Sequence, residues 1–221
     1  MSETAQLELE WQLIALGLSI SRQTQSHLLW LAEELLRWNR RINLTAITRL
    51  EEVINKHLID SLTLLPLLKD TERMLDLGSG GGFPGLPVKI VKEDLRLVSV
   101  DAVAKKISFQ RHIARRLNLT QCTLLNMRGE ELLHWSGLEN GFDTVVARAF
   151  SSLENIIRLG FPCLARRGRL IAMKGPEGEK ELQEAQPLLS RLNLICAEIK
   201  KLRLPVSNAE RVLISLMKKP N

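Results

Sequence analysis

The stretch Asp76-Leu-Gly-Ser-Gly-Gly-Gly-Phe-Pro-Gly85 gathers residue types that bring a ligand against bare backbone. Gly78, Gly80 and Gly82 alternate along it, and glycine removes the Cβ where a chain turns sharply and a ligand lies close. Ahead of it the apolar run 73–77 predicts a strand. Behind it Pro84 suits the first residue of a helix, where its missing N–H would be unsatisfied anyway. Strand, glycine turn and helix together aim backbone donors and a helix N-terminus into a crevice. Charged side chains border the same crevice. Asp76 closes the first predicted strand with a carboxylate facing it, and Asp101 closes the second. Asp101 is placed to accept hydrogen bonds from two ribose hydroxyls and also to cap the helix that follows. Glu130, after the third strand, stands where the edge of an adenine would come, and Arg148, ending the fourth, where substrate meets the nucleoside.

Alternating strands and helices must hold these residues in place. Strands are predicted at 73–77, 95–101, 121–126, 142–148 and 168–174, with helices near 84–92, 103–117, 152–163 and 177–192 between them. Apolar strands alternating with helices mean a parallel sheet covered on both faces. Two further strand-like runs, 194–202 and 210–218, share only a short loop, which forces an antiparallel pair. Residues 3–41 read as two helices, with Leu9, Leu13 and Leu16, then Leu28, Leu31 and Leu35, at helical spacing. Another helix is predicted at 51–68. His57 and Asp60 on it read as a hydrogen-bonded structural pair, since no nucleophile accompanies them. The division expected is a helical extension over 1–70 and an α/β domain over 71–221.

The glycine spacing admits two ligands. Gly80-Gly-Gly82-Phe-Pro-Gly85 can be written as a dinucleotide fingerprint, with Asp101 about 20 residues on. The register Asp76-x-Gly78-x-Gly80-x-Gly82 is instead the pattern of S-adenosylmethionine enzymes. Three features favour the second. The dinucleotide fingerprint would start late, after Gly78 and Ser79. Asp76 repels a pyrophosphate but welcomes a sulfonium zwitterion. The terminal antiparallel hairpin is the hallmark of the methyltransferase sheet. The expected fold is therefore a Rossmann-like S-adenosylmethionine-dependent methyltransferase, a mostly parallel seven-stranded sheet with an N-terminal helical extension. Strand four ends Val-Ala-Arg-Ala-Phe150, without the Asn/Asp-Pro-Pro-aromatic signature for an exocyclic amine, and Cys163 reads as packing. No general base is expected. An acceptor with its own lone pair, such as guanine N7, needs mainly alignment and desolvation.

The 221 residues carry a net charge of +6 and a pI near 9.5, which favours a polyanionic partner. Arg40, Arg41 and Asn43 in one basic stretch, and Lys105, Arg115 and Arg116 on one arc of the helix at 103–117, are candidates to meet RNA phosphates. So are Lys106, expected to point along the sheet edge towards the crevice, and Lys174. Cys122, Cys163 and Cys196 match neither a disulfide framework nor zinc spacing, and the four histidines are scattered, so no metal is assigned. With no apolar run of membrane-spanning length and no leader pattern, a cytoplasmic, membrane-free protein is expected.

Five strings, read together, resemble one family. Trp38-Asn-x-x-x-Asn-Leu-Thr45, His57-x-x-Asp-Ser-Leu62, the glycine stretch 76–85, Phe142-Asp143 with Arg148-Ala149, and Lys174-Gly175 look like bacterial ribosomal RNA small subunit methyltransferase G, also called glucose-inhibited division protein B. The resemblance implies methyl transfer from S-adenosylmethionine to a guanine N7 in the helix 18 loop of 16S rRNA, with the small ribosomal subunit or an assembly intermediate as partner. A monomer is expected. It also implies cofactor contacts at Gly78, Phe83, Gly129, Glu130 and Arg148, an acidic group at Asp101, and base-positioning or RNA-facing cations at Lys105, Lys106, Arg148, Lys174 and Arg211. Gly81 and Gly129 stand where that family commonly has alanine, and Ala102 where it usually has serine.

Overall fold

The computed structural model describes residues 2–219, so the outermost residues of the two expected segments, 1, 220 and 221, lie outside the description. Seven strands form one sheet: β1 (Arg73–Leu77), β2 (Arg96–Asp101), β3 (Cys122–Asn126), β4 (Phe142–Arg148), β5 (Leu164–Lys174), β6 (Leu194–Arg203) and β7 (Glu210–Lys218). Their order is β3-β2-β1-β4-β5-β7-β6. β1 to β5 run parallel, and β7 lies antiparallel between β5 and β6. Strand order reverses between β1 and β4, and in such sheets the crevice at the carboxyl ends of those two strands is where ligands bind. Arg148 ends β4 there, and Asp76 stands one residue before the end of β1.

Ahead of the sheet come α1 (Glu3–Ala15) and α2 (Arg22–Ile42). Ser2 and Ser21 cap them by accepting the Ala5 and Thr24 N–H groups, each at 3.2 Å. Five of the six predicted stripe leucines, Leu9, Leu13, Leu28, Leu31 and Leu35, are at most 1% exposed, while Leu16 falls at the C-cap of α1 and is half-buried. They join Met74, Val146 and Ile171 in one core on one face of the sheet, so the extension packs into the domain. The segment predicted as one helix at 51–68 is broken. α3 (Leu50–Val53) passes through a π-helical turn (Ile54–Ile59) into α4 (Asp60–Leu62), then a 3₁₀ turn containing Pro66.

α5 (Gly85–Val91) and α6 (Ala104–Arg116) cover the same face as α1 and α2. α7 (Leu153–Gly160), α8 (Gly178–Glu184) and α9 (Gln186–Arg191) cover the other. Pro84 is not the first helical residue as expected. It is the N-cap, after a cis peptide bond, and Gly85 begins the helix. The helix predicted at 177–192 is cut in two at Ala185 because Pro187, in the first turn of α9, has no N–H to continue α8. Cys163 is buried in the second core, and burial pushes its thiol up to about 11, as a packing residue requires. No helix among the described residues is long and apolar enough to cross a membrane.

Candidate active site

The glycine loop is held in a conformation side chains rarely adopt. Gly78, Gly80 and Gly82 have φ of +71, +56 and +89°. Left-handed backbone suits glycine because it has no Cβ to clash. At Gly82 a Cβ would also stand 2.4 Å from Leu86. Two carboxylates pin the loop. Asp76 Oδ2 accepts the Gly85 N–H at 2.8 Å, and Asp101 Oδ2 accepts the Gly80 N–H at 2.9 Å. Asp101 Oδ1 takes the Val103 N–H at 2.8 Å, the capping role expected of it. Asp76 is fully buried beneath the loop and borders neither cavity described below. Sequence placed that carboxylate facing the crevice; the structure places it under the floor. Burial raises its carboxyl to about 7 against the opposing pull of the Gly85 N–H and Arg148, and its Oδ1 has no hydrogen-bond partner.

Two cavities meet at this loop. One, about 350 Å³, is lined by Gly78, Asp101, Ala102, Lys106, Met127, Gly129, Glu130, Ala149 and Phe150 among others. Asp101, Gly129 and Glu130 thus share one wall, as the sequence predicted. The other, about 170 Å³, lies between the extension and the loop: Leu35, Leu44, Thr45 and His57 face Gly80, Gly81, Phe83 and Arg148. Gly78, Lys106 and Ala149 border both. Lys106 turns inward as expected, its Nζ 3.7 Å from Asp101 Oδ2.

Arg148 sits in a buried knot of polar contacts. Its Nη1 donates to the Lys56 carbonyl at 3.0 Å and to Asp60 Oδ2 at 3.1 Å, and its Nη2 to His57 Nδ1 at 3.0 Å. The other Asp60 oxygen accepts from Arg211 Nε at 2.9 Å. A guanidinium only donates, so His57 Nδ1 is an acceptor and the ring proton is on Nε2, directed at Thr45 Oγ1 2.9 Å away. Burial and the Arg148 charge lower His57 to about 3, so it is neutral and cannot act as a general acid near neutrality. Its ring stacks on Phe83, with centroids 4.8 Å apart. His57 and Asp60 are a structural pair, yet they bond a third residue and not each other. Sequence spacing shows the pair and not what it holds.

The cations expected to meet RNA divide into two groups. Arg40, Arg41, Asn43, Lys105, Arg115 and Arg116 are exposed. Asn43, left-handed at φ +47°, ends α2, and Asn39 clamps the next turn by accepting the Leu44 and Thr45 N–H groups at 2.6 and 2.9 Å. That clamp carries Leu44 and Thr45 to the smaller cavity. Arg115 and Arg116 lie roughly 14 Å along α6 from Lys106 and are not brought to the cavities. Lys174 and Arg211 are engaged: Lys174 Nζ donates to the Ser151 carbonyl at 2.6 Å and Glu181 Oε2 at 2.7 Å. His112 on the same helix packs on Trp38 and contacts Glu34 Oε2 at 2.9 Å. Phe150 and Ala149, both lining the larger cavity, escape the glycine-loop motif because they lie beyond β4; a lone aromatic gives no spacing signal.

A crevice at the switch point bordered by Asp101 and Glu130, in a mostly parallel seven-stranded sheet that ends in an antiparallel pair, defines a Rossmann-like methyltransferase fold. Solved structures share it. The precorrin-6y C5,15-methyltransferase of Geobacter metallireducens aligns with a TM-score of 0.56 at 18% identity, covering 73% of this chain and 88% of that one. The ribosomal protein L11 methylase of Lactobacillus delbrueckii subsp. bulgaricus gives 0.56 at 14%, covering 75% and 79%. The family is narrower: the model described as rRNA small subunit methyltransferase G matches residues 24–211, and the chain belongs to that family. The proteins of that name from Syntrophotalea carbinolica and Geotalea uraniireducens are 45% and 44% identical to it. These alignments cover 97% and 99% of this chain and 99% of each relative.

Proposed function

We propose that this rRNA methyltransferase transfers a methyl group from S-adenosylmethionine to N7 of a guanine in the helix 18 loop of 16S rRNA, as a cytoplasmic monomer acting on the small ribosomal subunit or its precursor. The observation that carries the reading is the glycine-loop crevice with Asp101 and Glu130 on one wall, in a chain of this family. A cavity bordered by carboxylates suits a cationic nucleoside better than a polyphosphate, which the same charges repel. S-adenosylmethionine supplies a sulfonium-bound methyl group as the electrophile.

The chain's own residues align and desolvate. Asp101 offers its remaining lone pairs to the ribose while its backbone bonds hold the loop in place. Gly129 and Glu130 face the adenine, and Gly78 and Gly80 leave the floor bare, while Gly82 borders neither cavity and serves the turn against Leu86. Phe83 backs the loop under His57, and Arg148, fixed by the knot, marks the side from which the base enters. Guanine N7 presents its lone pair in its neutral form, so no proton need leave before attack. Neutral His57 and buried Asp76 fit a site without a general base. Lys106 at the cavities and the exposed Arg40, Arg41, Asn43 and Lys105 supply phosphate contacts, Arg115 and Arg116 extend that surface away from the opening along α6, and Lys174 and Arg211 support the base-side wall.

The test is transfer of tritiated methyl from S-adenosylmethionine to small-subunit rRNA from cells lacking the modification, followed by strand scission at N7-methylguanine. A single scission site in the helix 18 loop is expected. Label elsewhere, or none while the cofactor still binds, would overturn the acceptor assignment.

A further inference from the structure

Phe150 is about a third exposed and lines the larger cavity. Its ring lies over Gly78: a Cβ built on that glycine would stand 2.0 Å from the ring. The ring is thus packed against the loop on one side, and the part that stays accessible, 36% of the residue, borders the cavity. Sheet order fixes which side of the cavity this is. Along β3-β2-β1-β4, Glu130 follows β3, Asp101 ends β2, Gly78 follows β1 and Phe150 follows β4. A nucleoside held by Asp101 and Glu130 occupies the β2–β3 side, which leaves the ring facing whatever comes to receive the methyl group.

The ring is also braced. Ala149 before it is left-handed at φ +49°, a conformation that persists in a non-glycine residue only when its surroundings hold it. Ser151 after it is held through its carbonyl by Lys174 and through its hydroxyl by Asn155. Glu181 Oε2, which also binds Lys174, accepts the Leu153 N–H at 2.6 Å. A loop tied to β5 and α8 at successive residues is a rigid mount, and rigid mounts suit a recognition surface. Lys174 is thus a positioning residue that reaches the acceptor through the loop.

We infer that Phe150 is the stacking platform for the acceptor guanine, with Lys174 and Glu181 holding the loop that presents it. This rests on the proposed rRNA activity. An aromatic face stacks on any base, and removing such a ring weakens binding by roughly ten- to a hundredfold.

The test compares Phe150→Ala, Phe150→Leu and Phe150→Tyr with the wild type, measuring methyl transfer to unmodified small-subunit rRNA at saturating S-adenosylmethionine and cofactor affinity by calorimetry. Leu fills the space without an aromatic face, so it also controls for folding. The expected result is a ten- to hundredfold loss of kcat/KM for rRNA in both Ala and Leu, near-complete activity in Tyr, and cofactor affinity within about twofold throughout. Leu at wild-type activity, or cofactor affinity falling in parallel with activity, overturns the stacking role. A wild type that transfers no label to rRNA overturns instead the activity on which the inference rests.

Discussion

The crevice around Asp101 and the knot around Arg148 meet at the glycine loop, yet they handle charge in opposite ways. In the crevice, one carboxylate, Asp101, accepts two backbone N–H groups, from Gly80 and Val103, and still borders the cavity. In the knot, two arginines from distant parts of the chain share one buried carboxylate, with Arg211 and Asp60 separated by 151 positions and Arg148 Nε left without a partner. The first arrangement leaves its carboxylate bordering open space. The second is built to stay closed, tying the helical extension to β4 and β7.

Removing the shared carboxylate should break that contrast most severely. Asp60→Ala leaves Arg148 and Arg211 without their anion in a buried site, and a loss of about 3–5 kcal/mol in urea unfolding is expected. A change below about 1 kcal/mol would mean the knot is not the clasp described. In the crevice, Gly78→Ala drives a methyl into Phe150 and strains a left-handed residue. Cofactor affinity should fall on the order of tenfold or more, while stability falls by only about 1–3 kcal/mol.

Lys174→Ala separates the regions more finely. Its Nζ braces the Phe150 loop and lines neither cavity, so calorimetry should show cofactor affinity unchanged while turnover on rRNA drops about tenfold. The smallest effect is on pH. With Asp76 raised to about 7 in the free protein, a cationic cofactor favours its ionised form and lowers that value on binding. Affinity should therefore climb as pH rises from 6 to 8 and level off above, by severalfold at most, with proton release visible as a buffer-dependent binding heat. An affinity that falls over that range contradicts the sign.

How far each region was legible in sequence follows from its construction. The glycine loop is one uninterrupted string, and its alternate glycines announce the positive φ they adopt. Asp101, Gly129 and Glu130 end or follow predicted strands, so strand alternation alone brings them to one wall. The knot is different. His57 and Asp60 are visible three positions apart, but Thr45, Arg148 and Arg211 reach them only through the tertiary fold, and a π-helical turn interrupts the helix that carries the pair. Lys174 reads as a free cation until Glu181, on the next helix, is seen to hold it. Phe150 acquires meaning only from the glycine it covers. The helix start at Pro84 is off by one residue because proline marks a boundary without saying on which side of it the helix lies, and the continuous helix expected at 177–192 overlooks the break that Pro187 makes.

The crevice is the centre of this account, and one titration addresses it directly: S-adenosylmethionine into wild type and Asp101→Ala, with NAD as the competing ligand. The wild type should bind S-adenosylmethionine and not NAD, and the variant, still folded, should bind at least about tenfold more weakly. Equal affinity in the two proteins would remove the ribose role of Asp101, and binding of NAD in place of S-adenosylmethionine would contradict the cofactor on which the proposed methyl transfer depends.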